Sequence, residues 1–489
     1  MRDDQRRQRL TDANPWWRAA AGGGNPTAWT GHHQVLKGRA AHDLGYRTTI
    51  LSDIQDGPVT DLLVVLTGPR RIGKSVALLD TAAALCARGD LDPRQVVYLP
   101  CDGMSAQDVH RCLVFGRELT RSIDRETSRP RLWLLDEISG VSGWTAALKL
   151  ARDNTAFGGD TVIATGSRWA GGEDIEGNLL AGRAGTGSGR RRRVLLPMTF
   201  RDYLTASRPQ LHRLPPVHPS DLQSPATAAI LEEVAFDVDG YDLAWQDFLT
   251  CGGFPRAVAE HIRAGAVSTS YLDDLRYSLR NDVDPDGPQD SLPRLLGRLA
   301  QRATSPLSVT AMAQELGYPS RDIFVRRLNR LVTSHAALWC PRREGDDIVA
   351  GSQAKLYLTD PLLAYVPARL RAGLGEPDMT RLTEMAIGVA LARAIDDLEE
   401  GRWVSGETIG YVRTASNNEI DLGPVTVPSP ANATATVPLE TKWVDQGWKG
   451  ESRAIDGKFG RGILVTKAAL DTSGDVWAVP APLLALLLS

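Results

Sequence analysis

The sequence predicts an α/β protein organised around a doubly wound parallel sheet. Two observations carry this prediction. From about Val59, four short apolar runs alternate with helical patterns: Asp61–Gly68, Gln95–Pro100, Arg131–Glu137 and Asp160–Ser167. Buried strands that alternate with helices belong to parallel sheets covered on both faces. The first run also leads into Gly68-Pro69-Arg70-Arg71-Ile72-Gly73-Lys74-Ser75, the spacing GxxxxGK[ST], and a helical pattern opens directly behind it. Strand, glycine-bearing loop and helix in that order form a phosphate-binding unit.

At 489 residues the chain is too long for one core, and about 100–200 residues per domain implies about three domains. Apolar residues make up 42% and charged residues 24%, with a formal net charge of -3. Overall charge therefore draws the chain to neither DNA nor anionic lipid, and any nucleic-acid surface has to come from a local cluster. Cys86, Cys101, Cys112, Cys251 and Cys340 are scattered, with no CxxC pair; reduced thiols in the cytoplasm are expected, not a disulfide frame or a zinc site. The charged start MRDDQRRQRL has no apolar stretch behind it, and VWAVPAPLLALLLS at the end is too short and proline-broken to span a bilayer. No membrane association is expected, and the last stretch reads as a core strand and helix.

Along the chain, residues 1–34 form a polar segment in which Asn14–Trp17 reads as a docking element, because two adjacent tryptophans bury much area against a partner surface. Lys74 to Gly89 reads as a helix closed by its glycine. Ala181–Arg193 reads as a glycine-rich basic loop and residues 208–228 as a linker. Helices then run to about Arg280, and Asp282–Ser291 is a second break. Residues 292–345 read as a helix, a helix-turn-helix and strands; a third region with one long helix and β-rich segments starts near Asp378.

The phosphate loop assigns roles. The loop from Gly68 through Pro69, Arg70, Arg71, Ile72 and Gly73 to Val76 can wrap phosphates with its backbone N–H groups, those of every residue but the proline; Lys74 adds positive charge at the outer ones, and Ser75 is a candidate Mg²⁺ ligand. Arg131–Glu137 places Asp136 and Glu137 at a strand end. Asp136 is expected to hold Mg²⁺ through water and Glu137 to act as general base, a pair that favours hydrolysis over passive binding. One strand later, Thr165 or Ser167 is placed to touch the terminal phosphate or the attacking water. Arg183 is a candidate for completing a neighbouring subunit's site.

LTGPRRIGKS, LWLLDE, VIATGS, LAGR, LLPMTFRDYL and GGFPRAV occur in this order, and from about Val35 the chain resembles a large prokaryotic family of AAA-type ATPases. In that family a winged helix and a C-terminal domain similar to PD-(D/E)xK nucleases follow the ATPase. The resemblance implies an N-terminal segment 1–34, an AAA-type core 35–207, a helical lid and linker 208–291, a winged helix 292–375 and an α/β restriction-nuclease-like domain 376–489. It also implies ATP and Mg²⁺ as cofactors and a homo-oligomeric ring, a hexamer being one option.

Two later stretches bear on partner and chemistry. Leu307–Trp339 has the layout of a winged helix, with Ile323, Phe324, Leu328 and Leu331 on one face of its second helix and Arg321, Arg326, Arg327 and Arg330 on the others. Such a helix can lie in a major groove with arginines on phosphates, or serve as a protein-interaction module. Asp421 and the Glu440-Thr441-Lys442 triplet read as two strands of a hairpin, with Glu440 and Lys442 on one face. This is the D…ExK pattern of the nuclease-like fold, and Glu384 on the preceding long helix is where that fold often adds an acid. Glu384, Asp421 and Glu440 are the expected metal ligands, with Lys442 positioning water or stabilising developing charge. Two functional readings follow. The chain is an ATP-driven DNA-processing motor, acting on branched or recombination DNA among other substrates, with a Mg²⁺-dependent nuclease domain. Alternatively, it is an ATP-controlled signalling or defence switch whose nuclease-like domain is a binding scaffold.

Overall fold

All four apolar runs form strands: Leu62–Thr67 (β1), Val96–Pro100 (β2), Leu132–Asp136 (β3) and Thr161–Gly166 (β4). The computed structural model describes the chain except residues 58, 125–128, 155, 168–184, 371–374, 407 and 431. It divides into two units, Met1–Leu195 and Leu196–Ser489. The sheet of the first unit runs β2-β3-β4-β1-β5, parallel at every pairing. Its fifth strand, Arg192–Val194 (β5), lies in the basic run expected to be a loop. The run can enter the sheet because Arg193, which is buried, binds Asp53 through Nη1 at 2.6 Å and Nη2 at 2.7 Å. A buried guanidinium is tolerated when it is paired in this way.

The edge strand β2 is covered by the N-terminal segment, which belongs to the first unit. Helix Asp3–Ala13 (α1) brings in Asn14, fully buried, whose side chain donates to the Tyr98 carbonyl at 2.8 Å and accepts from the Tyr98 amide at 2.6 Å. Trp16 and Trp17 both donate Nε1–H to the Val96 carbonyl at 2.9 Å. The docking element thus caps its own sheet edge, satisfying backbone groups that would otherwise template another strand.

In the second unit, helices Ser291–Arg302 (α3), Val309–Glu315 (α4) and Arg321–Thr333 (α5) precede an antiparallel pair of Ala337–Cys340 (β6) with Lys355–Leu358 (β9). Between them, Arg343–Glu344 (β7) and Asp347–Ile348 (β8) form a small hairpin. Met379–Leu398 (α6) follows, capped by the Asp378 carboxylate accepting from the Arg381 amide at 3.0 Å. Then come Val412–Arg413 (β10) antiparallel to Glu419–Ile420 (β11), the short pair Thr426–Val427 (β12) and Thr434–Ala435 (β13), and Leu439–Thr441 (β14). An antiparallel bridge joins Leu422 to Leu439. After helix Arg453–Phe459 (α7), Gly462–Thr466 (β15) and Val476–Pro480 (β16) extend β14 as a parallel sheet. The chain ends in a buried helix, Ala481–Leu487. The stretch expected to be a linker is a strap on this domain: the Val217 amide donates to the Leu487 carbonyl at 2.7 Å, and Gln223 Nε2 to the Gly462 carbonyl at 2.8 Å.

The PMTF and GGFP stretches meet. The Met198 amide donates to the Gly253 carbonyl at 2.8 Å, and Asp360 accepts from the Gly253 amide at 2.7 Å and the Leu362 amide at 2.8 Å. A Cβ on Gly252, at φ 68°, would stand 2.1 Å from Asp360 Oδ1, so only glycine fits. Burial pushes the Asp360 carboxyl up to about 7 against these donors. Its folded pKa therefore exceeds the unfolded value of 3.8, and the native state holds a proton that the unfolded chain releases. The stability this adds is present at acid pH and is lost as pH rises towards 7. In urea unfolding, going from pH 5 to pH 8 should cost the wild type about 3 kcal/mol more than Asp360→Asn. Equal losses in the two proteins would remove Asp360 as the cause.

Candidate functional site

The phosphate loop joins β1 to helix Lys74–Ala87 (α2), whose N-cap is Gly73. Gly68 has φ 154°, and a Cβ there would lie 2.2 Å from the Leu195 carbonyl oxygen. The backbone beside β5 thus presses so close that the loop can turn only through glycine. Lys74 is buried, and its Nζ donates to the Gly68 and Pro69 carbonyls at 3.0 Å each. Ser75 and Val76 stand in the first turn of α2, with Pro69 and Ile72 buried and Arg71 exposed. Arg71 adopts φ 67°, a left-handed conformation that costs a non-glycine residue on the order of 1 kcal/mol. A cradle that a Cβ would fill, an ammonium held at its rim and a helix N-terminus behind it suit an anion.

The acids are locked by the strands on both sides of β3. Asp136 Oδ2 accepts from Tyr98 Oη on β2 at 2.7 Å, and Oδ1 accepts from Thr165 Oγ1 on β4 at 2.9 Å. Thr165 Oγ1 also accepts from the Glu137 amide at 3.1 Å. Thr165, expected to touch phosphate or water, is buried, and its hydroxyl bonds the Asp136 carboxylate and the Glu137 backbone amide. Glu137 leaves the strand at φ 53°, a strained conformation of the kind found at functional sites. Burial pushes its carboxyl up, Lys74 opposes this and Asp136 adds to it. A carboxylate raised towards neutral pH is a better proton acceptor. Ser167, just past β4, is also buried, and Arg183 lies outside the described residues.

In the second unit Glu384, Asp421, Glu440 and Lys442 come together. The Asp421 amide donates to Glu440 Oε2 at 3.1 Å, the Thr441 amide to Asp421 Oδ2 at 2.9 Å, and Lys442 Nζ to Glu440 Oε1 at 3.0 Å. The expected metal cage of Glu384, Asp421 and Glu440 is not what they form. Lys355, at the start of β9, is fully buried, and its Nζ lies 2.8 Å from Glu384 Oε1, 2.8 Å from Glu419 Oε1 and 2.9 Å from Asp421 Oδ1. Among the described residues no group of three or more His, Cys, Asp or Glu could hold a metal ion. An ammonium balances part of the cluster's negative charge. Burial, then Asp421, pushes Glu384 up to about 8 and Glu440 to about 7, while Asp421 and Glu384 hold Lys355 protonated against burial.

Sequence reasoning missed Tyr98, Lys355, Tyr357 and Glu419. Tyr98 faces β3 from inside an apolar strand and carries no motif. Lys355 and Tyr357 had a weak signal: two polar-tipped residues two apart, hence on one face of an otherwise apolar strand. Tyr357 Oη donates to Glu384 Oε1 at 2.7 Å.

A five-stranded parallel sheet, a glycine-turned phosphate loop after β1 and an acid pair at the end of β3, with β4 between, form a P-loop nucleotide-binding fold. Residues 60–204 match the model of an AAA domain, a span that includes the phosphate loop and the acid pair. Among solved structures, the chain is similar to a Walker-type ATPase of Pyrococcus abyssi, at 15% identity and TM-score 0.37, covering 65% of this chain and 93% of that one. It is also similar to a DNA polymerase III gamma subunit-related protein from Thermotoga maritima, at 13% identity and TM-score 0.23, covering 58% of this chain and 97% of that one. No curated protein matches the sequence. Among the described residues no helix is long and apolar enough to cross a membrane.

Tyr98→Phe and Thr165→Val each remove one clamp on Asp136. Each should lower kcat for ATP about 10-fold, the scale of losing a hydrogen bond that orients a ligand, and leave folding intact by circular dichroism. Unchanged turnover in both would show that Asp136 needs no such support.

Proposed function

We propose that the chain hydrolyses ATP with Mg²⁺ and couples this to DNA binding through its second unit. The observation that carries the reading is the Asp136–Glu137 pair, clamped by Tyr98 and Thr165 and close enough to Lys74 for its charge to act on Glu137. In this mechanism Glu137 accepts the proton of the attacking water. Lys74 exchanges its loop carbonyls for phosphate oxygens and offsets the charge that develops there. Ser75 and Asp136 would hold Mg²⁺, which when bound neutralises charge on the phosphates. Backbone N–H groups of Gly68 and of Arg70 to Val76 orient the phosphate chain. Lys74→Ala should abolish tight nucleotide binding. Glu137→Gln should keep binding and slow hydrolysis roughly 10²-fold or more; equal turnover by wild type and Glu137→Gln would remove Glu137 from the role of base.

Three helices followed by a hairpin, α3 to β9, support the winged-helix reading, and the exposed arginines of α5 support DNA as its ligand. Those arginines are Arg321 and Arg326. Arg327, expected beside them, is half-buried and pairs with buried Asp284 at 2.6 Å. Replacing Arg321 and Arg326 with Ala should weaken DNA binding and flatten its salt dependence by about 0.9 log unit for each phosphate that is no longer neutralised. Arg327→Ala should instead destabilise the fold by leaving Asp284 without its cation. DNA binding unchanged across a salt titration of the Arg321/Arg326 variant would move this helix to a protein-interaction role.

The order α6, β10, β11, β14, α7, β15 supports a nuclease-like C-terminal fold. A second reading, in which ATP controls assembly and this domain is a scaffold, is favoured by the ammonium in its carboxylate cluster. ATPase activity stimulated by DNA separates the first reading from ATP-dependent oligomerisation without DNA.

A further inference from the structure

Lys355 is held as a structural cation is held. It is fully buried, and three carboxylate oxygens from two separate elements lie within 2.9 Å of its Nζ: Glu384 on α6, then Glu419 and Asp421 on and just after β11. Its ammonium donates hydrogen bonds to Glu384 and Asp421, and Glu419 adds a third negative charge as an ion-pair partner. Three further carboxylate oxygens nearby are also engaged. Asp421 Oδ2 accepts from the Thr441 amide, Glu440 Oε2 from the Asp421 amide, and Glu440 Oε1 from Lys442. A divalent cation would need several oxygens at about 2.0–2.6 Å in the space where Nζ stands, and two adjacent positive centres in a buried pocket repel strongly.

We infer that Lys355 is the resident cation of this cluster: its ammonium takes the place a divalent metal would hold, ties hairpin β6–β9 to the C-terminal strands, and makes the cluster independent of metal. The inference goes beyond the proposed ATPase and DNA-binding functions and does not rest on either. A chain that binds no DNA can still give each of the results below.

The test is a Mn²⁺ titration of the full chain without nucleotide, read by electron paramagnetic resonance of free Mn²⁺ and by Tm. Wild type and Asp421→Asn should bind Mn²⁺ alike, since the ammonium excludes it. Lys355→Met should bind about one additional Mn²⁺ per chain and gain Tm on Mn²⁺ addition, and both effects should vanish in Lys355→Met/Asp421→Asn. A Lys355→Met chain that folds only when Mn²⁺ is present gives the same support. One that folds in neither condition is replaced by Lys355→Met/Glu384→Gln, which removes an acid with the cation and should show the same Asp421-dependent binding. Mn²⁺ binding by the wild type that Asp421→Asn abolishes would overturn the inference. So would a folded Lys355 variant with no Asp421-dependent binding.

Discussion

A carboxylate taken out of water must find a partner, and in each unit the functional architecture is arranged around that demand. In the first unit the partners of Asp136 are two hydroxyls, Tyr98 and Thr165, supplied by the neighbouring strands. In the second, the partner of Glu384, Glu419 and Asp421 is one ammonium, Lys355. Desolvating a charge costs several kcal/mol. These side chains can be buried only because the sheets deliver donors at hydrogen-bond distance. The parallel registers of β2 and β4 against β3 are therefore part of the chemistry of the site as well as of the fold.

The two solutions differ in what they leave available. Hydroxyls from Tyr98 and Thr165 each occupy one lone pair of Asp136 and bring no charge, so each oxygen keeps a further acceptor site. Lys355 brings a full positive charge, donates to Glu384 and Asp421, and pairs with Glu419. One cluster is thus poised for a cation and a nucleotide, and the other is already neutralised in part. The same residue types serve hydrolysis in one place and cohesion in the other, and the distinction rests on the partner rather than on the acids.

Conformational strain falls where the chain needs unusual geometry. Glu137 and Arg71 hold left-handed conformations at the ends of the strand and loop that form the phosphate site. Gly68 turns against the backbone of Leu195, and Gly252 against Asp360. The second pair accounts for a motif with no chemistry of its own: GGFP is where the Met198 backbone and the Asp360 carboxylate converge on two residues too close for any side chain.

Sequence alone determined the elements whose information is local. The four main strands follow from continuous apolar runs, the phosphate loop from glycine and lysine spacing, and the region with one long helix from its start near Asp378. The pairing of Asp421 with Glu440 followed from two strand-like stretches around a turn. Tertiary structure decided whatever depends on which charges meet. Arg193 became part of a strand because Asp53 lay opposite. Arg327 turned inward to Asp284. Thr165 faced the acids because Asp136 and the Glu137 amide were both within reach of its hydroxyl. Lys355, 29 residues from Glu384 and 66 from Asp421 in the chain, entered their cluster from a different supersecondary unit. The energy of a buried charge is set by neighbours that sequence separation does not reveal. The acids could therefore be located in the sequence, whereas the cation that neutralises them could be identified only from the folded chain.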